Sequence, residues 1–175
     1  MRIIAGSRKG HRIEAPPGRK TRPTSDRVRE NVFNLVQQWV EDAVVLDLYA
    51  GSGAMGIEAL SRGAERAVFV EADAQACRFI DRNLEKLRLT GARVFCNDVG
   101  RFLATDRGEY DLVFCDPPYG EYAALEPALA RYLPRLAAEG GLVVVETGSK
   151  TEPELPLTLR TSRRYGAARI TLWER

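Results

Sequence analysis

The chain has 175 residues, 45% hydrophobic and 29% charged, with a net charge of +2. That balance describes one ordinary globular domain, long enough to bury a core of its own. No run approaches the roughly 18 apolar residues that span a membrane, and no signal-peptide pattern follows Met1, so no membrane partner and a cytoplasmic location are expected.

Met1–Ala5 and His11–Ala15 are short extended stretches around the turn-like Ser7-Arg8-Lys9-Gly10. They predict a basic β-hairpin with its charges at the tip. Pro16-Pro17-Gly18 breaks the pattern. Thr24 or Ser25 is placed to cap a helix running through Trp39, with Asp26 in the first turn. Val28, Val32, Leu35, Val36 and Trp39 form its apolar face.

From Ala43 the chain alternates strands and helices. Strands are expected at 43–48, 67–70, 93–96, 112–115 and 141–145. Helices are expected at 54–61, 74–89, around 99–103, and at 122–136, the last limited or kinked by Pro127 and Pro134. Successive β–α units imply a parallel sheet covered on both faces, with sites at the carboxyl ends of the strands. The final candidates, 157–161 and 169–173, have no helix between them and should form an antiparallel hairpin. Residues 1–15 precede every strand of this core, so the sheet is expected to form without them.

Charge is unevenly spread. Residues 1–40 hold nine basic residues (Arg2, Arg8, Lys9, Arg12, Arg19, Lys20, Arg22, Arg27 and Arg29) against three acids, while the remainder is mildly acidic. A basic arm on such a body suggests a polyanionic partner. Cys77, Cys96 and Cys115 show no metal-ligand spacing and read as buried free thiols. One histidine, His11, leaves no case for a histidine triad or a His-rich metal site.

The first strand of the core ends in Asp47-Leu48-Tyr49-Ala50-Gly51-Ser52-Gly53-Ala54-Met55-Gly56. Its glycines allow a tight turn and close backbone approach to a ligand. Nicotinamide enzymes use such a turn as well. Here Glu71 closes the second strand, about 20 residues on, where an acid suits a ribose diol. Asp98 follows the third strand and Asp116 the fourth. Four acids along one sheet edge repel one another, so a cationic or hydroxyl-rich ligand is the economical explanation. S-adenosylmethionine offers an ammonium, a sulfonium, a ribose diol and an adenine amine. For Asp98 the competing explanation is a simple cap on the next helical turn, which the ligand role outweighs.

Asp116 opens the tetrapeptide Asp116-Pro117-Pro118-Tyr119. Proline fixes φ and offers no donor, and it restricts the residue before it. A carboxylate and a carbonyl are thereby held as two acceptors beside an aromatic ring. That set suits a conjugated exocyclic amine on a base that stacks on the ring. A plain turn is the competing explanation.

Together, Asp47-x-x-x-Gly51-x-Gly53 and the Asp-Pro-Pro-Tyr tetrapeptide resemble the class I S-adenosylmethionine-dependent amino-methyltransferases. Met1–Gly6 with its basic turn, Arg22–Glu30 and Leu46–Gly56 narrow the resemblance to the bacterial 16S rRNA guanine-N2 methyltransferases, over essentially the whole chain. The resemblance implies a Rossmann-like α/β domain with a seven-stranded, mostly parallel sheet whose last strand is antiparallel, plus the amino-terminal hairpin. Residues 1–20 would be the hairpin extension and 21–175 the methyltransferase domain. It implies that Asp47, Tyr49, Ala50, Gly51, Ser52, Gly53, Glu71 and Asp98 hold the donor, which leaves as S-adenosylhomocysteine. It further implies that Asp116, Pro117, Pro118 and Tyr119 hold the target amine, and that Arg2, Arg8, Lys9, Arg12, Arg22 and Arg27 meet the RNA. The implied partner is 16S rRNA or the assembling small subunit, bound by a monomer without metal, and the implied target is guanine 966. Rivals are an adenine-N6 methyltransferase of DNA or RNA, a non-catalytic ribosome-assembly factor, and a nicotinamide oxidoreductase.

Overall fold

The computed structural model describes residues 1–16, 26–118 and 120–175. The turn at Pro17-Gly18, the Thr24 or Ser25 cap, Arg19, Lys20, Arg22 and Tyr119 lie outside the described residues.

Helix α1 (Asp26–Val36) ends in a single 3-10 turn at Gln37–Trp39. It buries Val32, Phe33 and Val36. Strand β1 (Val44–Leu48) leads through the glycine loop into α2 (Ala54–Ser61). Then follow β2 (Arg66–Glu71), α3 (Ala74–Leu87), β3 (Ala92–Cys96), α4 (Val99–Thr105) and β4 (Tyr110–Cys115). The Asp73 carboxylate caps α3 by accepting the backbone N–H of Gln75 at 2.7 Å. Helix α5 (Tyr122–Leu136) runs unbroken through both prolines, because Leu125, Leu129, Leu133 and Leu136 bury one continuous stripe.

Strand β5 (Ala137–Gly148) is longer than 141–145. The register shifts between Tyr110 and Leu112 on its neighbour β4, so the glycines near position 140 lie inside β5 at an irregularity rather than before it. The chain ends in β6 (Thr158–Tyr165) and β7 (Ala168–Glu174).

Seven strands form one sheet in the order β3-β2-β1-β4-β5-β7-β6. Pairings from β3 across to β5 are parallel. β7 inserts between β5 and β6 and is antiparallel to both. The expected α/β architecture and antiparallel last strand are therefore present. Chain order reverses between β1 and β4, which opens a crevice at their carboxyl ends.

One face of the sheet buries Val45, Phe69, Phe114, Val144 and Ile170 under α1, α2 and α3. The other buries Leu46, Val70, Val113 and Trp173 under α4 and α5. The amino-terminal stretches form a small hairpin, bridged at Arg2 and Arg12. Its Ile3 and Ile13 are buried in the first cluster beside Val32 and Phe33. One expectation is corrected: Cys96 is exposed, because it ends β3, an edge strand paired on one side only.

Candidate active site

The register brings the acids together. Asp47 lies opposite Phe69 and Phe114, one step below the level of Leu48, Val70 and Cys115. Alternation along the strands then points Asp47, Glu71 and Asp116 towards the same face. The Asp47 carboxylate is 3% exposed and accepts the Gly56 N–H at 2.9 Å, tying β1 to the first turn of α2. Burial, with Asp116 and Glu71 adding like charge, pushes its carboxyl up to about 7 against the opposing pull of the Gly56 N–H.

Glu71 is also buried and uses both oxygens on backbone: Gly51 N–H at 2.8 Å and Asp73 N–H at 2.9 Å. The end of β2 thereby clamps the glycine loop. Ala50 donates its N–H to the Val70 carbonyl, and Gly53 donates to the Ala50 carbonyl. Gly53 sits at φ +78 as it enters α2, where its missing Cβ also spares Ile57 and Ile80. Tyr49 takes a left-handed φ of 59, so the chain turns and its ring packs with the α4–α5 cluster. That half-buried setting pushes the phenol up to about 12.

A methyl donor was expected here, and the residues fit one. A Cβ on Gly51 would project into open space, meeting only the Tyr49 carbonyl at 3.9 Å, so a ligand can lie directly on this backbone. The donor set consists of carboxylates that repel one another until a cation arrives. Ser52 is half-buried beside it, its carbonyl accepting from the Asn83 amide at 3.3 Å.

Asp98 behaves partly as the competing explanation has it. It caps α4, accepting the Arg101 N–H at 2.9 Å, and is exposed on the rim beyond β3. Asp116 sits across the crevice at the end of β4, its N–H reaching the Leu48 carbonyl at 3.4 Å. Pro117 is buried and Pro118 exposed. The Pro118 carbonyl accepts the Glu121 N–H at 2.8 Å, so the turn is locked onto the start of α5. Behind it Cys115 is held as a neutral thiol by burial and by Asp116 and Asp47.

The expected RNA-facing residues divide. Arg2 and Arg12 oppose each other on the solvent side of the hairpin, a like-charge pair that costs stability unless an anion lies across it. Lys9 and Arg27 are exposed. Arg8 is different: its guanidinium donates to the Leu87 carbonyl at 2.6 Å and the Arg88 carbonyl at 3.4 Å, capping the C-terminus of α3. The hairpin tip rests on the far end of α2. Ser7 donates to the Ser61 carbonyl, and a Cβ on Gly6 would fall 1.8 Å from that same oxygen. Eight residues of α2 separate it from the glycine loop, about 12 Å.

Glu58 and Asn83 escaped the sequence reading, and Arg29, counted there in the basic arm, is buried instead of facing a partner. Glu58, fully buried, accepts the N–H groups of Ile4 at 2.8 Å and Ala5 at 2.9 Å and pairs with Arg62 at 2.8 Å. Arg29, also fully buried, lies 3.7 Å from it and donates to the Arg2 carbonyl. A lone acid within the apolar Ile57–Leu60 stretch was the available signal. Asn83 links the Glu14 backbone, by two 2.9 Å bonds, to the Ser52 loop. Among the described residues no cluster of His, Cys, Asp and Glu could hold a metal ion, and no helix is long and apolar enough to cross a membrane.

Comparison with known proteins agrees with this fold. The family model described as "Conserved hypothetical protein 95" matches residues 1–174. The YlbH protein of Bacillus subtilis (strain 168) is 38% identical over 100% of this chain and 99% of its own length. Ribosomal RNA small subunit methyltransferase D of Escherichia coli (strain K12) is 41% identical over 68% of this chain and 60% of its own length. The solved structure of the Escherichia coli protein yhhF superposes with a TM-score of 0.89 at 34% identity, covering 100% of this chain and 97% of that one.

Proposed function

The chain belongs to the Conserved hypothetical protein 95 family, and we propose from that premise that it methylates the exocyclic N2 amine of a guanine in 16S rRNA of the small ribosomal subunit. It is an S-adenosylmethionine-dependent methyltransferase with a Rossmann-like sheet. The small-subunit RNA target is supported by the relative named as a small subunit methyltransferase. Guanine N2, and position 966 in particular, rests on the resemblance of Met1–Gly6, Arg22–Glu30 and Leu46–Gly56.

The observation that carries the reading is the meeting of two devices at the β1–β4 switch point. On one side stand Asp47, Glu71 and the glycine loop; on the other stands the locked Asp116-Pro117-Pro118 turn. S-adenosylmethionine, when bound, supplies a methyl group on an electron-poor sulfur. The chain does the positioning. Asp47, Gly51, Ser52 and Gly53 take the methionine end, Glu71 the ribose and Asp98 the adenine, with Tyr49 and Ala50 walling the loop.

Asp116 and the Pro117 carbonyl accept from the target amine, whose lone pair is otherwise delocalised into the ring. Two fixed acceptors pyramidalise the nitrogen and aim the pair at the donor. Tyr119 gives the extruded base a stacking surface. Arg2, Lys9, Arg12, Arg22 and Arg27 face RNA phosphates, while Arg8 acts through the hairpin's seat on α3. The protein works as a cytoplasmic monomer. The amino-terminal hairpin, described over residues 1–16, docks on the methyltransferase domain.

Mass spectrometry of nucleosides from 16S rRNA and from small subunits lacking the modification, incubated with protein and labelled donor, tests the proposal. N2-methylguanosine is expected. N6-methyladenosine or no product from either substrate rejects it.

A further inference from the structure

The strand-end rim does not stop at Asp116. β6 is antiparallel to β7, which is antiparallel to β5, so β6 runs in the same sense as the strands carrying the acids. Its carboxyl end therefore lies on the same rim. The register fixes the height. Cys115 is level with Val145, Thr171 and Ser162. One step on, Glu146, Ile170 and Arg163 are level, and next Thr147, Arg169 and Arg164. Arg163 thus stands at the height of Asp116, and Arg164 at that of Pro117. Three strand spacings separate β4 from β6, roughly 14 Å.

Charge changes sign across this rim. Beyond Asp116 come Lys150, Arg163, Arg164 and Arg169, against Glu146 and Glu152. Lys150, Arg163 and Arg164 are exposed. Arg163 follows Ile170 onto the α1 face, and Arg164 follows Arg169 onto the other, so the two cations straddle the sheet edge. The surface is braced from beneath. Arg169 is 7% exposed and donates to Ser162 Oγ at 3.0 Å, the Ser149 carbonyl at 3.4 Å and Glu152 at 2.8 Å. It pins the loop that carries Lys150 to the strand that carries Arg164. Arg160, lower on β6, is occupied by Glu174, whereas Arg164 has only a 3.8 Å approach to the exposed Glu152.

We infer that Lys150, Arg163 and Arg164 form an RNA-phosphate contact surface flanking the target pocket on the side away from the donor. This rests on the rRNA reading above. A base extruded into the Asp116 turn leaves its neighbours on the strand, and 14 Å covers roughly four nucleotides at the helical rise. A surface there fixes where the strand leaves the pocket, while the hairpin, at the far end of α2, meets a more distant part of the RNA. The competing explanation is edge protection, since charged residues on an exposed edge strand discourage sheet-to-sheet pairing.

The test combines Lys150→Ala, Arg163→Ala and Arg164→Ala in the full chain, with Arg163→Lys and Arg164→Lys as charge-keeping controls. Donor affinity by calorimetry, steady-state methylation of the small-subunit substrate, and RNA binding against salt are read on each. The triple variant should keep donor affinity, raise KM for RNA about tenfold or more, and lower the slope of log K against log salt by about two. The lysine variants should stay near wild type. Unchanged KM and slope in the triple variant, with wild type active, overturn the surface alone, and aggregation with unchanged KM assigns these residues to edge protection. A wild type that methylates no small-subunit RNA overturns the rRNA reading itself, and the surface with it.

Discussion

Two regions carry charge in opposite ways. At the end of β1 and along α2, Asp47 and Glu58 are buried and spend oxygens on backbone N–H groups. Along β6, Arg163 and Arg164 stand in solvent on an edge strand. A charge taken out of water costs several kcal/mol unless it is fully satisfied, so Glu58 belongs to the fold and Asp47 serves the fold as well as the donor. Exposed charges contribute little to stability. They are the ones available to a partner, and substitution separates the two kinds.

The largest effect is expected at Glu58. Glu58→Ala takes from the buried Arg29 one of two carboxylate partners, leaving Asp26, and strips acceptors from the Ile4 and Ala5 N–H groups. A loss of about 3–5 kcal/mol is expected in urea unfolding. Removal of residues 1–15 should do similar damage, since Ile3 and Ile13 leave the core. The notion that the sheet forms freely without this segment is thus replaced by one in which the hairpin completes a cluster. Cleavage of the hairpin without a drop in the unfolding midpoint would restore the separable arm.

Asp116→Ala comes next and probes the boundary between the regions. Asp116 lies at the crevice mouth and is only half-buried. Turnover should fall by about a hundred- to a thousandfold, the range for losing one preorganised transition-state partner. Donor affinity and melting temperature should stay near wild type. An equal loss in donor affinity would move Asp116 into the donor-binding group.

The alternating core was legible because each element carries its own period. Helices 54–61 and 122–136 fall where the apolar spacing places them, and the strands differ by a few residues at their ends. The acids at successive strand ends were legible because β–α units must bring strand ends to one rim. What stayed hidden was how charges are spent. Nothing local distinguishes Arg8, which caps α3, from Lys9, which faces solvent. Nor does local pattern reveal that Glu58 is buried, because the hairpin it anchors lies more than fifty positions away. The basic end of β6 was passed over because its meaning depends on β7 inserting between β5 and β6. Only that insertion brings Arg163 to the height of Asp116.

Glu71→Ala should act on both sides of the comparison. It removes the acceptor for Gly51 and Asp73 N–H groups and the expected partner of the ribose. Donor binding should weaken by about 1–3 kcal/mol, the range for hydrogen bonds to a charged group. Calorimetry showing unchanged affinity would remove Glu71 from the donor site and leave it a clamp on the loop.

The smallest effect is a pH dependence at Asp47. Its carboxyl rises from 3.8 to about 7 in the folded chain, chiefly through burial. A raised carboxyl means the folded state holds a proton that the unfolded state releases. The associated stability is fully present below pH 3.8 and is lost as pH climbs through about 7. Between pH 6 and pH 8 the expected loss is about 1 kcal/mol, or about 2–4 °C in melting temperature for a chain of this size. Asp47→Asn keeps an acceptor for the Gly56 N–H and should flatten that slope relative to wild type, whatever other groups contribute. A bound cationic donor adds the opposite pull, favouring the ionised carboxylate, so the melting shift produced by S-adenosylmethionine should grow from pH 6 to pH 8 in wild type and not in Asp47→Asn. A ligand-induced shift that is the same at both pH values in wild type would mean that the donor's positive charge is met elsewhere on the rim, and Asp47 would then join Glu58 as a charge spent wholly on the fold.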